Sequence, residues 1–176
     1  MQPLKEYCHR ALKEKQFEEQ SHLFKTGHTY TFCNKYTFDV YEFVDYDLDD
    51  EFKDFNVAGL YCFTTELSFA GSKMKDGKQV KNGRIHSLFY LGKTDDFSTR
   101  KFSKHENFER FKALPTSKDK KFIGIYQCSA DENAKDLESE ILSKYNFADN
   151  TSENTNKKGL PTTIVENQAI SSTHEQ

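Results

Sequence analysis

The sequence predicts a mixed α/β (α+β) fold, and three observations carry that prediction. Short strand-like stretches, apolar or alternating, recur at 58–64, 87–92 and 122–128. Stretches with helical spacing of apolar residues lie around them at 3–24, 95–111 and 129–145. The chain has 176 residues and 30% of them are charged, but sixteen Phe and nine Tyr supply bulky core material. A few large rings then build the interior that many aliphatics would otherwise build, and one domain with an appendage results.

The elements follow in chain order. Leu4, Tyr7, Cys8, Ala11, Leu12 and Phe17 recur at near-helical spacing, and Gly27 stops that first helix. Tyr30 and Phe32 alternate with threonines, Asn34-Lys35 supplies a turn, and Tyr36, Phe38 and Val40 resume the alternation, which reads as a hairpin. The acidic stretch 45–54 reads as an exposed connection. In the strand 58–64, Leu60 and Cys62 take one face and Tyr61 and Phe63 the other. Gly71, Asp76-Gly77 and Asn82-Gly83 then mark at least two turns in a basic excursion at about 68–86. After the strand 87–92, the stretch 95–111 suits helix, capped by Thr94 or Asp95 and broken near His105; Pro115 ends it. Ser129 and Glu132 have the spacing of a capping box opening a helix that runs to about Tyr145. Beyond Thr151 the chain is rich in Thr, Ser and Asn, and 151–176 reads as a disordered tail. The domain plan is thus an N-terminal helix and hairpin extension at 1–56, a core domain at 57–150, and the tail.

Composition excludes several classes. No run of eighteen apolar residues exists, and the start is neither a presequence nor a secretory signal, which leads us to expect a soluble, cytoplasmic protein. Cys8, Cys33, Cys62 and Cys128 are widely separated, so reduced thiols are expected rather than a disulfide framework or a zinc site. The net charge is −3, but residues 71–121 hold fourteen Lys or Arg against six Asp or Glu. The reverse holds at 39–54, where eight acids face Lys53 alone. The basic segment suits phosphate recruitment or a solvated loop, and the acidic one is a candidate dock for a basic protein partner.

Four residue types then suggest chemistry. On the last helix Ala134, Leu137, Ile141, Leu142 and Tyr145 fall within an arc of about 140°, and Glu138 lies inside it. A carboxylate facing a core needs a partner, either a buried arginine or a divalent ion. Mg²⁺ or Mn²⁺ fits a lone carboxylate, because such ions keep water and complete their shell with substrate phosphate. Arg100 follows Phe97 by one helical turn. It either grips a phosphate or pairs with Asp96 at i, i+4. Tyr61 and Tyr90 are candidate proton-transfer groups. A free phenol has a pKa near 10, so Tyr61 serves as a base only if positive charge from Lys93, Arg100 or a metal favours its phenolate. His105 is a candidate proton relay or a structural histidine. Lys93, Lys101 and Lys104 complete the candidate substrate-binding set.

The ordered set Gly59-Leu60-Tyr61, Tyr90-Leu91-Gly92, Thr94, Phe97, Arg100, His105, Ala134, Glu138, Ile141 and Tyr145-Asn146 resembles the GIY-YIG nuclease family over residues 57 to about 150. Leu60, Leu91 and Phe97 replace other apolar residues of the pattern, and 28 residues separate Tyr61 from Tyr90. The resemblance implies a small sandwich with a three-stranded antiparallel central sheet flanked by helices. It also implies a metal-dependent endonuclease acting on DNA. Glu138 would hold one Mg²⁺ or Mn²⁺, Tyr61 would activate water with Tyr90 in support, Arg100 would stabilise the phosphate, and Asn146 would join the substrate-binding set and brace the site from the helix end, with Asn150 as a second candidate for that role. The rival expectation keeps the fold without the chemistry, as a nucleic-acid-binding or interference protein acting through a partner.

Overall fold

The computed structural model describes residues 24–43, 48–69, 73–75, 78–80, 84–115, 120–150 and 159–168. The proposed helix at 3–24 lies outside this set, except that Phe24 begins a strand. Nine strands are described: β1 (Phe24–Phe32), β2 (Tyr36–Phe43), β3 (Gly59–Phe69), β4 (Lys73–Lys75), β5 (Lys78–Val80), β6 (Arg84–Thr94), β7 (Lys121–Gln127), β8 (Thr163–Val165) and β9 (Asn167–Gln168). Three α-helices accompany them: α1 (Leu48–Glu51), α2 (Glu106–Ala113) and α3 (Ala134–Lys144). Seven strands make one sheet in the order β8-β6-β3-β7-β2-β1-β9, and every pairing is antiparallel. β4 and β5 form a separate hairpin inside the basic excursion.

The expected trio β6-β3-β7 is present, but the sheet does not stop there. The hairpin β1–β2 joins β7 through the pairs from Asp39↔Ile125 to Phe43↔Lys121 and so continues the sheet rather than extending beside it. Its turn sits one residue earlier than the sequence suggests. Cys33 and Asn34 both have positive φ, 55° and 53°, and Lys35 N–H donates to Phe32 O at 3.0 Å. That is the primed turn that matches strand twist.

Alternation places two aromatic layers on the two faces. One face collects Tyr30, Phe32, Phe38, Leu60, Cys62, Leu91 and Phe122 under α3, which contributes Leu137, Ile141 and Leu142. The other collects Tyr61, Phe63, Phe97, Phe102, Phe108, Phe111 and Ile123 with Phe52 and Phe55 from the α1 region. Burying a Phe contributes about 1.5–3 kcal/mol, so these rings account for the core despite the polar composition.

Three further expectations change. The stretch 95–111 is not one helix but two 3-10 turns, Phe97–Thr99 and Phe102–Lys104, followed by α2. Asp96 Oδ1 accepts from Ser98 N–H and hydroxyl and starts the first turn, while Asp49 Oδ1 takes the backbone N–H of Phe102 at 2.5 Å and pins the second. Asp49 therefore lies in the acidic stretch as an internal brace. The helix α3 begins at Ala134 with Asn133 as N-cap; Glu132 reaches back to Ser129 N–H at 2.9 Å, but in a turn that precedes the helix. Finally, 163–168 within the expected tail forms β8 and β9, because Ile164 and Glu166 have buried places to occupy. Residues 151–158 and 169–176 of that tail lie outside the described set. Among the described residues no helix is long and apolar enough to cross a membrane.

Candidate active site

Tyr61 and Gly92 face each other across the β3–β6 pair. A Cβ at Gly92 would stand 2.4 Å from the Tyr61 ring and hydroxyl, so only glycine lets the ring lie flat on β6. Gly59 is required for a different reason. A Cβ there would meet Tyr126 O at 2.1 Å and the Phe97 ring at 2.7 Å. Both glycines are thus fixed by close approach rather than by turns.

The Tyr61 ring is 1% exposed, wedged against Phe102 at 4.9 Å between centroids and against Phe63 at 5.5 Å. Its hydroxyl accepts from Arg100 Nη2 at 2.6 Å, and the guanidinium carbon lies 5.5 Å from the ring centroid. Tyr61 also shares a side-chain hydrogen bond with Tyr90, whose centroid is 6.1 Å away. Arg100 therefore turns to Tyr61 rather than to Asp96, whose Oδ1 serves Ser98. Arg100 Nε is buried and has no hydrogen-bond partner among the described residues. A guanidinium presents a planar fork of donors, and an anion is its natural complement.

Burial raises the pKa of Tyr61 well above the ordinary phenol value, Tyr90 adds to that rise, and the nearby Arg100 offsets only part of it. Tyr90 is also raised, by burial first; Arg100 opposes the shift and the charge of Glu138 adds to it. Desolvation thus wins over the cation, and both rings are neutral phenols at neutral pH. His105 is lowered from the ordinary imidazole value by burial and then by repulsion from Arg100, with Asp49 opposing.

Glu138 is half-buried on α3. Leu137 and Ile141 beside it pack on the face of the sheet opposite Tyr61. Its charge is nevertheless felt at Tyr90. Tyr61 and Arg100 are directly bonded, Tyr90 packs on Tyr61, and Arg100 and His105 line one groove, of which Glu138 is not a lining residue.

An open groove of about 460 Å³ adjoins Arg100 and is lined also by Lys93, Lys101, Lys104 and His105, with Asp95 and Asp96 at its rim. Asp49 braces the turn between two of these lining residues, Lys101 and Lys104, by accepting from Phe102 N–H and from Ser103 N–H and hydroxyl. Among the described residues no group of three or more His, Cys, Asp or Glu gathers at one point. A divalent ion would therefore have Glu138 as its protein carboxylate, a donor set that Mg²⁺ accepts when water and phosphate oxygens fill the remaining positions.

Of the two candidate braces, Asn150 contacts the strand of Tyr90. Its Oδ1 accepts from Leu91 N–H at 2.9 Å and its Nδ2 donates to Leu91 O at 2.8 Å, which satisfies the exposed edge of β6 beside Tyr90. Asn146 instead donates its backbone N–H to Pro161 O at 2.9 Å. Sequence reasoning missed Asp49 as a support of the groove, because its contact spans 53 residues and leaves no local pattern. No protein-family model, curated protein or solved structure matches this chain.

Proposed function

We propose that the chain is a metal-dependent endonuclease of the GIY-YIG type, acting on phosphodiesters of DNA, with β6-β3-β7 as its three-stranded core. The observation that carries this reading is the unpartnered Nε of Arg100 at the head of a groove lined by three lysines. Lysines along such a groove position a phosphate backbone without reading its sequence. Arg100 grips the reacting phosphate with the side of its guanidinium that lines the groove while Nη2 stays on Tyr61, so the guanidinium couples phosphate charge to the phenol. Glu138 holds Mg²⁺ or Mn²⁺, which when bound supplies positive charge to the phosphate oxygens. Tyr61, a neutral phenol whose hydroxyl accepts from Arg100 Nη2, orients the guanidinium, and the proton lost by the attacking water goes to a separate acceptor. His105, lowered and neutral, is available on the groove side as a proton acceptor.

A second reading is favoured by a specific observation: Tyr61 is sealed at 1% exposure and its phenol is raised, not lowered. On that reading the groove binds nucleic acid and cuts nothing, acting through a partner. A supercoiled-plasmid nicking assay in Mg²⁺ or Mn²⁺ separates the two. The nuclease reading expects metal-dependent nicking by the wild type and a loss of about 100-fold in Glu138→Gln and in Arg100→Ala, each checked for native fold. Absence of nicking with a metal-independent gel shift, weakened by Lys101→Ala and Lys104→Ala, selects the binding reading.

A further inference from the structure

We propose that residues 163–168 are a closing strap that locks the two edges of the sheet together, with the Glu166 side chain as its fastening. This inference is independent of the nuclease reading. β8 pairs with β6 at one edge of the sheet and β9 pairs with β1 at the other, yet only Glu166 separates the two strands in sequence. Six strand spacings in a flat sheet would hold them about 29 Å apart. Two residues of chain reach no more than about 7.6 Å. The sheet must therefore curl until its edges meet, and a cross-sheet contact agrees: Tyr30 on β1 bonds His86 Nδ1 on β6 at 3.0 Å.

Inside that seam lies a buried polar chain. Tyr30 hydroxyl meets Thr64 Oγ1 at 2.7 Å and His86 Nδ1 at 3.0 Å, and His86 Nε2 meets Glu166 Oε2 at 3.2 Å. Glu166 Oε1 stands 3.5 Å from Arg84 Nε, and Arg84 reaches Glu66 at 3.7 Å. His86 is 0% exposed and Glu166 3%. The charged and polar groups around the strap are Arg84 and His86 from β6, which meet its carboxylate, His28 from β1, whose charge acts on it, and Tyr30 from β1 with Thr64 and Glu66 from β3, which stand behind His86 and Arg84. The backbone repeats the arrangement, with Leu88 N–H on Thr162 O at 2.9 Å and Glu166 N–H on Arg84 O at 3.0 Å. The carboxylate holds β6 directly through His86 and Arg84 and reaches β1 through the bond from His86 to Tyr30, so its loss loosens both sides of the seam.

The carboxyl of Glu166 lies below its ordinary value; burial pushes it up, and the hydrogen bond from His86 with the charges of His86, His28 and Arg84 more than compensates. A depressed folded value means that the fastening is complete above the ordinary carboxylate range and fails as pH falls through the folded value. The strap should therefore open in acid before the centre of the sheet does.

Hydrogen exchange on the full chain tests this, read as protection factors. In Glu166→Ala, and in the wild type on acidification through the carboxylate range, amides near His28–Thr29 and at Ile85–Leu88 should lose protection together by tenfold or more. Amides of the β3–β7 ladder should keep wild-type protection. Glu166→Gln, which keeps the shape and loses the charge, should fall between. Loss at one edge alone, equal loss throughout the sheet, or no loss at either edge overturns the proposal. Should Glu166→Ala fail to fold, the acid series and Glu166→Gln decide the matter by the same criteria.

Discussion

Two tyrosine-centred polar clusters sit in this sheet, and they differ in one respect that matters. Around Tyr30 the chain Thr64, His86, Glu166 and Arg84 gives each buried side chain a polar partner. Around Tyr61 the chain runs through Arg100 to a buried Nε with none, beside an open cationic groove. A buried network that closes on itself fixes packing, whereas one left open at a surface is prepared for something it has yet to bind. On the proposed reading the first cluster is structural and the second is the one that recognises a ligand.

The largest expected effect comes from crowding the open cluster. Gly92→Ala places a Cβ 2.4 Å from the Tyr61 ring, and the ring, held by Phe102 and Phe63, has little room to move. We expect a loss of about 3 kcal/mol in urea unfolding. A loss under about 1 kcal/mol would show that Tyr61 swings out freely and that the cluster is not preorganised.

Removing the two hydroxyls is the sharper contrast. Tyr30→Phe strands Thr64 and His86 in a dry seam and should cost about 2 kcal/mol in the same assay. Tyr61→Phe leaves Arg100, which already borders the groove and can turn to water, so about 1 kcal/mol or less is expected. Equal losses would erase the distinction.

How much of this was legible in the chain depends on range. The hairpin, the strands carrying Tyr61 and Tyr90, β7 and the helix of Glu138 follow from local alternation and spacing, and the sequence shows them. The width of the sheet does not follow, because the pairing of β2 with β7 joins residues some eighty apart in the chain and neither strand encodes its partner. The break of 95–111 into turns depends on Asp49, again distant. Thr163-Ile164-Val165 carried a local signal, three β-branched residues, that the polar composition of 151–176 obscured. At the candidate site, the identity of Arg100 and its closeness to Tyr61 were legible; the height of the Tyr61 pKa was not, since burial by Phe102 and Phe63 decides it.

A smaller effect concerns His105. Burial and Arg100 hold its pKa below the ordinary value, so the imidazole is neutral at pH 7 and charges only in acid. In Arg100→Ala the repulsion is gone, and an NMR titration of the ring should show its midpoint moving up toward 6.5. No movement would mean that Arg100 does not face His105 across the groove and that the open cluster ends at Tyr61.

The most direct measurement is an NMR titration of the Arg100 Nε–H resonance with a short DNA duplex, with the His86 ring followed in the same sample. The account predicts that Arg100 Nε–H shifts and gains protection on binding while His86 stays fixed, and that the Arg100 response weakens with added salt. An Arg100 resonance indifferent to DNA, or one that moves only together with His86, would contradict the assignment of an open recognition cluster beside a closed structural one.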